Sequence, residues 1–189
     1  MRPAAVLLTP GAGSDRDHHT LLALEASLAP LPCVRLDFPY RLAGRPFPDR
    51  APVLIAHIVK AVHQLGQDHA VCPAEVLLIG RSMGGRMCSM AVAEGLDAAG
   101  LVLLSYPLHP PGKPDKLRIA HLPRVAVPCL FISGSKDNFA TPEELSAATA
   151  LVAGSVAQQF IPGAGHPLDR QDAQLCGRVA EWLDSTSFG

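Results

Sequence analysis

Residues 76–85 read Val-Leu-Leu-Ile-Gly-Arg-Ser-Met-Gly-Gly, and this stretch decides the fold. Four apolar residues are followed by a Gly-x-Ser-x-Gly pattern and then by a helical pattern of small residues. Such a turn between a strand and a helix forces its serine, Ser82, into a tight bend that pushes the hydroxyl away from the sheet. Glycines are required because a Cβ at either position would clash with the neighbouring backbone. The alternative is a surface serine in a glycine-rich turn, and the rest of the chain distinguishes the two.

Apolar runs and helical patterns alternate along the whole sequence. One helical stripe carries Ile55, Val59 and Val62 and is expected to end near Gly66, and a later helix has Thr141 as its cap. Several of the predicted strands are continuous apolar runs, which is typical of parallel strands covered on both faces. We therefore predict an α/β fold, a mainly parallel β-sheet with helices on both faces. The predicted strands are residues 6–8, 34–38, 76–79, 101–104, 129–132 and 156–161.

Composition restricts the class of protein. The chain has 189 residues, of which 48% are hydrophobic and 17% charged, so it is expected to fold as a single domain over residues 1–189. A net charge of −1 gives no reason to expect a nucleic-acid partner or a membrane surface. The apolar run near the N-terminus is too short for a secretory signal because Pro10 ends it. Five cysteines without a Cys-x-x-Cys pair indicate reduced thiols in a cytoplasmic protein.

A serine hydroxyl needs a base to remove its proton, and the base needs a carboxylate to fix its tautomer. For a nucleophile on this kind of turn, the expected chain order is serine, acid, histidine, each following a strand. His166 is the only histidine after Asp137, and both follow predicted strands. We therefore predict a Ser82, Asp137 and His166 triad. Asp169 and Asp115 are rival acids, although Asp169 fits better as the cap of the last helix.

Acyl transfer also requires hydrogen-bond donors for the oxyanion. The backbone N–H of Met83 directly follows the nucleophile at a helix N-terminus. The second donor is expected from the loop after the first strand, where glycines let the backbone approach closely. We predict the N–H of Ala12, with that of Gly13 as the alternative.

Three arginines are candidates for substrate binding. Arg81 lies inside the Gly-x-Ser-x-Gly pattern, and Arg41 and Arg45 lie in the loop that follows the second predicted strand. Together they are candidates for a cationic rim that favours a carboxylate-bearing substrate. The alternative is that they are solvated loop charges. Three histidines, six residues apart and beginning at His57, do not share a helix face, so we expect neither a metal nor another cofactor.

Four segments resemble the α/β-hydrolase superfamily, in particular its small lidless branch near the dienelactone-hydrolase-like proteins. The resemblance extends to a group that includes an animal testis-expressed member and a subunit of a histone-acetyltransferase complex. It implies a minimal α/β-hydrolase fold. This sequence departs from the family pattern in that its first predicted strand already leads to the loop expected to hold the oxyanion, so we do not expect the usual first antiparallel strands. No helical lid is expected, because residues 106–128 are too short and proline-rich to form one. The segments are Thr-Pro-Gly-Ala-Gly at 9–13, Asp-Phe-Pro-Tyr at 37–40, Gly-Arg-Ser-Met-Gly-Gly at 80–85 and Gly-Ala-Gly-His at 163–166.

The sequence therefore predicts a serine hydrolase of esterase type that acts on a small-molecule acyl substrate through an acyl-enzyme. Two alternatives remain open at this stage. The chain could be a non-catalytic, hydrolase-like interaction module, because some members of the resembling group serve in assemblies. It could also be a lidless serine peptidase with the same triad.

Overall fold

The computed structural model describes residues 2–188, and their centre is one six-stranded sheet in which every neighbouring pair of strands is parallel. The strand order is β2-β1-β3-β4-β5-β6. The chain moves outward from β1 to the edge strand β2, crosses back to β3, and then adds β4, β5 and β6 in sequence. The strands are β1 (Ala5–Thr9), β2 (Cys33–Arg35), β3 (Val76–Arg81), β4 (Gly100–Leu104), β5 (Cys129–Gly134) and β6 (Val156–Ile161).

Helices cover both faces of this sheet. Two of them, α1 and α6, pack on one face, whereas α3, α4 and α5 pack on the other. The predicted parallel sheet with helices on both faces is confirmed. The helices are α1 (His19–Leu28), α2 (Pro39–Leu42), α3 (Ala51–His69), α4 (Met83–Ala93), α5 (Pro142–Thr149) and α6 (Asp172–Ser185).

Alternate side chains of each central strand enter opposite cores. In β3, Leu78 packs with α3 and α4, whereas Leu77 and Ile79 pack with α1 and α6. All three side chains are fully buried. The strand is an unbroken apolar run because neither of its faces meets water.

The register brings the ends of the strands together at one edge. Thr9 pairs with Gly80 and Arg81 pairs with Leu104, so the loops after β1, β3 and β4 begin side by side. The order of strands reverses between β1 and β3, and ligands of open parallel sheets bind at such a point. Ser82 lies directly at this point of the sheet.

The second strand and the loop after it differ most from the prediction. The second strand ends at Arg35 rather than at residue 38, and α2 occupies the start of the predicted loop. The Asp37 carboxylate accepts a hydrogen bond from the Arg16 N–H at 2.8 Å, and Pro39 has no N–H to give to a neighbouring strand. The chain therefore leaves the sheet early and turns into α2.

The end of α3 also differs from the prediction, because the helix continues through Gly66 to His69. The Gly66 carbonyl accepts the N–H groups of both Ala70 and Val71. A Cβ on Gly66 would overlap the Val71 carbonyl oxygen. Gly66 therefore permits the chain to fold back across the end of the helix, which Ala70 ends with a positive φ of 55°.

Helix caps give one correct prediction and one wrong one. Thr141 caps α5 and forms a capping box with Glu144. Asp169 does not cap α6, which begins after Gln171, and the Asp169 side chain is exposed. The acid in the first turn of α6 is Asp172, which instead accepts a hydrogen bond from Thr20 of α1 at 2.8 Å.

Residues 105–128 contain no helical lid, and a 3-10 turn at Leu122–Arg124 is their only helical element. Their path leaves the sheet edge above Ser82 uncovered by a helix. Across residues 2–188, no helix has the length and apolar character needed to cross a membrane.

Candidate active site

Ser82 lies between β3 and α4 with φ 50° and ψ −116°. A positive φ is strained for a residue with a Cβ and requires support from its surroundings. The Ser82 N–H donates to the Leu104 carbonyl at 2.8 Å, and its carbonyl accepts the Arg86 N–H at 3.1 Å. The strained bend predicted from the sequence is present, anchored to the next strand on one side and to the first turn of α4 on the other.

The glycines around Ser82 are places of close backbone approach. A Cβ on Gly84 would overlap the Pro10 carbonyl oxygen and the Thr9 hydroxyl. A Cβ on Gly80 would overlap the backbone of Gly85. The turn is therefore packed directly against the loop that follows β1, which is the loop predicted to supply an oxyanion donor.

The structure brings the three predicted triad residues together in a chain of hydrogen bonds. Ser82 Oγ lies 2.8 Å from His166 Nε2. His166 Nδ1 lies 2.8 Å from Asp137 Oδ2 and 3.0 Å from Oδ1. A carboxylate only accepts hydrogen bonds, so Nδ1 carries the imidazole proton and Nε2 presents its lone pair to the serine hydroxyl. The arrangement has the polarity that a nucleophile, base and orienting acid require.

Asp137 is held in a turn directly after β5. Its side chain is fully buried, and Oδ1 accepts a second hydrogen bond from the Phe139 N–H at 2.8 Å. The rival acids Asp169 and Asp115 are both exposed, and neither forms an ion pair with His166. Of the three acids considered, Asp137 is therefore the one that contacts the imidazole.

The imidazole of His166 is fixed by two further contacts. The Phe139 ring stacks on it with centroids 4.0 Å apart and an interplanar angle of 29°. The Ser105 hydroxyl donates to the His166 carbonyl at 2.7 Å. Ser105 has φ 49° and follows β4, so a second strained serine supports the histidine loop. The ring is therefore held from its face and through its own backbone.

The two predicted oxyanion donors line the same cavity as Ser82. Within residues 2–188, neither the N–H of Ala12 nor that of Met83 donates to a protein acceptor. The Ala12 carbonyl, which belongs to the following Ala12–Gly13 peptide, accepts the buried Tyr40 hydroxyl at 2.9 Å and anchors this loop to α2. Gly13, the alternative donor, is exposed and does not line the cavity.

A cavity of about 310 Å³ opens at Ser82. It extends from the loop after β1 past Ser82 toward the segment that follows β4, and it is open to solvent. Its volume suits a small ligand rather than a long chain. The lining residues are Ala12, Ser82, Met83, Arg86, Pro107, Arg118 and Phe139.

Residues 2–182 match the family described as "Alpha/beta hydrolase domain". The chain belongs to the α/β hydrolases. The match spans every strand of the sheet and all but the last turn of α6.

Solved structures of hydrolases share the fold of this α/β hydrolase. A dienelactone hydrolase from Anabaena variabilis superposes with a TM-score of 0.74 at 21% identity, covering 96% of this chain and 86% of that one. An α/β serine hydrolase homologue from Coxiella burnetii gives 0.77 at 16% identity, with 96% and 88% covered. Est1E from Butyrivibrio proteoclasticus gives 0.77 at 16% identity, with 96% and 87% covered. At these identities the similarity establishes the fold.

The three arginines selected from the sequence do not line the cavity of this α/β hydrolase. Arg45 is exposed and pairs with Asp49. Arg41 donates to the Ser14 carbonyl at 3.0 Å and lies over the Tyr40 ring. The position of a charged residue in a loop does not indicate which group its side chain binds, so these contacts could not be predicted from the sequence.

Arg81 connects the two loops on either side of the nucleophile. It donates to the Pro167 carbonyl at 3.1 Å, and Nη1 lies against Gly11. Burial lowers the pKa of its guanidinium from the ordinary value. Arg81 therefore joins the loop after β1 to the loop after β6 that carries His166, and it does not face the cavity.

Sequence reasoning missed two other arginines, Arg86 and Arg118, which do line the cavity. Arg86 lies in α4 one turn after Ser82. Residues four apart lie on the same face of a helix, so this spacing could have indicated that Arg86 lies near the site. Arg118 lies in the irregular segment after β4, where no periodicity predicts a position. Both side chains are half-buried.

None of the thiols replaces Ser82 as a nucleophile candidate. All five cysteines are free, and burial raises the pKa of Cys88 and Cys129 to about 12. A thiol must ionise to attack, so these two stay unreactive at neutral pH. None of the five lines the cavity at Ser82.

Proposed function

We propose that this α/β hydrolase is a serine esterase that cleaves a carboxylic ester or a related acyl bond through an acyl-enzyme on Ser82. The observation that carries the proposal is the 2.8 Å contact between Ser82 Oγ and His166 Nε2, with Asp137 on the other ring nitrogen. A scaffold has no need of all three groups in this order. We further propose that residues 1–189 act as a single domain and that the substrate is a small acyl compound.

In the first half-reaction, Ser82 Oγ attacks the substrate carbonyl carbon while its proton moves to His166 Nε2. The new C–O bond forms as the carbonyl π electrons move onto the carbonyl oxygen. The imidazolium that results is stabilised by Asp137, whose buried carboxylate is held in place by the Phe139 N–H. Asp137 keeps its negative charge throughout.

The oxyanion that develops is proposed to accept hydrogen bonds from the N–H groups of Ala12 and Met83. Both donors are unpaired within residues 2–188, so they are available without breaking another bond. A donor of this kind typically contributes about 10²–10³ to the rate. The Tyr40 hydroxyl holds the Ala12 carbonyl and so anchors the loop that carries the Ala12 N–H before substrate arrives.

Collapse of the tetrahedral intermediate releases the alcohol, which takes its proton from His166 Nε2, and leaves the acyl group on Ser82. A water molecule then enters from the open side of the cavity. His166 removes a proton from that water as its oxygen attacks the ester carbon. The acid departs, and the proton returns from His166 to Ser82 Oγ. The two halves use the same groups in opposite order.

Steady-state hydrolysis tests this proposal. Wild type, Ser82→Ala and the control Ser27→Ala, an exposed serine on α1, are compared on acetate to octanoate aryl esters and on short peptide amides. We expect wild type and Ser27→Ala to hydrolyse esters at equal rates and Ser82→Ala to lose about 10³-fold or more in kcat. Unchanged ester turnover by Ser82→Ala would contradict the proposal. Faster cleavage of peptides than of esters would replace it with peptidase activity.

A further inference from the structure

The cavity at Ser82 contains two cations without a counterion. Among residues 2–188, no Asp or Glu forms an ion pair with Arg86 or Arg118, whereas the arginines at positions 2, 35 and 45 each pair with a carboxylate. Charged groups taken out of water are normally paired with an opposite charge or hydrogen-bonded, because removing a charge from water is expensive. Within residues 2–188, the half-buried Arg41, Arg81 and Arg178 also lack an ion pair, but the side chain of each donates to a protein oxygen. Two arginines without an ion pair in one small cavity therefore require an explanation.

Arg86 is the more exceptional of the two. Its Nε is buried and has no hydrogen-bond partner within residues 2–188, and no other nitrogen of its guanidinium donates to a protein acceptor there. Buried nitrogen donors are satisfied in the large majority of cases. Within residues 2–188 the Arg86 guanidinium is therefore committed to no protein acceptor, and its terminal nitrogens are available to a molecule that enters the cavity.

Arg118 is positioned for the same purpose by its backbone. Its N–H donates to the Leu108 carbonyl at 2.8 Å, and its carbonyl accepts the Tyr106 hydroxyl at 2.9 Å. The guanidinium uses one donor, Nη1, on the Pro107 carbonyl at 3.2 Å and leaves the rest of its fork unpaired. Burial and the positive charge of Arg86 both lower the pKa of Arg118. The two cations therefore repel each other in the absence of an anion.

Neighbouring groups do not supply the missing negative charge. His121 Nε2 lies 2.8 Å from the Ser89 hydroxyl, and the Tyr106 hydroxyl donates to the backbone carbonyl of Arg118. Neither contact requires a charged side chain. Burial, followed by the charges of Arg86 and Arg124, lowers the pKa of His121 to about 4. Burial raises the pKa of Tyr106 to about 12. At neutral pH neither His121 nor Tyr106 therefore offers a counterion to the arginine pair.

We propose that Arg86 and Arg118 bind an anionic group of the substrate, a carboxylate or a phosphate, while its ester carbonyl lies at Ser82. Arg86 follows Ser82 by one helical turn, about 6 Å of rise, so the anion is placed a few atoms from the scissile bond. Guanidinium forks match the geometry of both oxyanions. This inference rests on the proposed esterase activity and adds the class of substrate to it.

Matched pairs of alkyl esters test the inference. Monoethyl succinate, glutarate and adipate are compared with the diethyl esters of the same acids, which lack the charge. A second measurement compares the two anions: inorganic phosphate and free glutarate are each tested as inhibitors of diethyl ester hydrolysis. The ratio of kcat/KM for half-ester over diester is measured in wild type, Arg86→Gln, Arg118→Gln and the control Arg45→Gln.

We expect wild type to prefer a half-ester and the ratio to fall about 10- to 100-fold in Arg86→Gln and in Arg118→Gln, since each removes charge-assisted hydrogen bonds. Arg45→Gln should keep the wild-type ratio. Tighter inhibition by phosphate than by glutarate would identify a phosphate-bearing substrate within the same inference. A ratio near one in wild type would overturn it.

An equal loss on both members of each pair would also overturn the inference, because it would mean that the arginines act on the oxyanion of every ester. Labelling by an uncharged fluorophosphonate separates this failure from failure of the proposed function. A labelled Ser82 without any preference for anions removes the inference alone. An unlabelled wild type removes the esterase proposal. Arg86→Lys and Arg118→Lys keep the charge and provide folded variants if either glutamine variant fails to fold.

Discussion

The Phe139 ring lies against the His166 imidazole with centroids 4.0 Å apart, and the Phe139 N–H donates to Asp137 at 2.8 Å. One residue thus contacts both partners of the proposed nucleophile. Its ring packs on the face of the imidazole. Its backbone N–H binds the Asp137 carboxylate, which in turn binds the edge of the imidazole. The base and its orienting acid are therefore positioned by a single short turn after β5.

Replacing Phe139 by alanine is expected to lower kcat for a neutral ester by about 10- to 100-fold, because a base that can tilt loses its alignment with the serine hydroxyl. The rate of labelling of Ser82 by a fluorophosphonate should fall in parallel. Phe139→Leu is the matched variant, since it keeps an apolar contact and the same backbone. It should restore most of the labelling rate. Equal rates for Phe139→Ala and wild type would contradict this role.

The close approach at Gly84 predicts a stability defect. A Cβ there would overlap the Pro10 carbonyl and the Thr9 hydroxyl, and strand ends packed this tightly have no room to relax. We expect Gly84→Ala to lower the free energy of unfolding by about 1–3 kcal/mol in urea titrations.

Gly177→Ala is the control for that substitution. Gly177 lies inside α6, where an added Cβ would meet nothing within 4 Å. Alanine is the better helix former by about 1 kcal/mol, so this variant should be more stable than wild type. A Gly84→Ala protein as stable as wild type would mean that the loop after β1 is not packed on the nucleophile turn as described.

His109 predicts a pH dependence of stability. Its Nδ1 lies 2.9 Å from the Pro110 carbonyl and its Nε2 lies 3.2 Å from Glu144, so both ring nitrogens face acceptors. These contacts, that with Pro110 first, raise the pKa of His109 above its usual 6.5. The stabilisation is complete below the unfolded-state pKa and is lost as pH rises through the folded-state pKa.

The measurement for His109 is the Tm of wild type and His109→Gln at pH 5.5 and pH 8. The wild-type advantage should be larger at pH 5.5, where the imidazolium donates to both acceptors. An advantage that is larger at pH 8 would show that the ring is bound in its neutral form.

The proximity of Ser82, Asp137 and His166 could be predicted because it follows from chain order. Ser82, Asp137 and His166 each follow a strand, and the carboxyl ends of parallel strands meet at one edge of the sheet. Knowing which segments were strands was therefore enough to bring the three together. The position of Ala12 followed for the same reason, since it lies in the loop after β1.

The arginines could not be predicted in the same way. Arg41, Arg45 and Arg81 lie near the site in sequence, yet each is committed to a partner of its own, namely the Ser14 carbonyl, Asp49 and the Pro167 carbonyl. The position of Arg118 depends on its backbone bonds to Leu108 and Tyr106, which link distant points of an irregular segment. Such contacts have no period along the chain.

The predictions of a helix cap at Asp169 and of a helix end at Gly66 were also wrong. Asp169 has the residue type of a cap, but α6 begins only at Asp172. Arg170 has a φ of 61°, which lies outside the helical region, so a helix cannot begin directly after Asp169. Gly66 is a residue type that commonly ends helices, but α3 continues past it to His69, and the Gly66 carbonyl accepts the N–H of Ala70.

The central claim is that His166 activates Ser82, and covalent labelling tests it most directly. Wild type, Ser82→Ala and His166→Ala are treated with an uncharged fluorophosphonate, and adducts are counted by intact mass and located by peptide mapping. Circular dichroism confirms that each variant is folded. We expect one adduct per wild-type chain, on Ser82, and none on either variant. A folded wild type that stays unlabelled, or a His166→Ala protein labelled as fast as wild type, would contradict it.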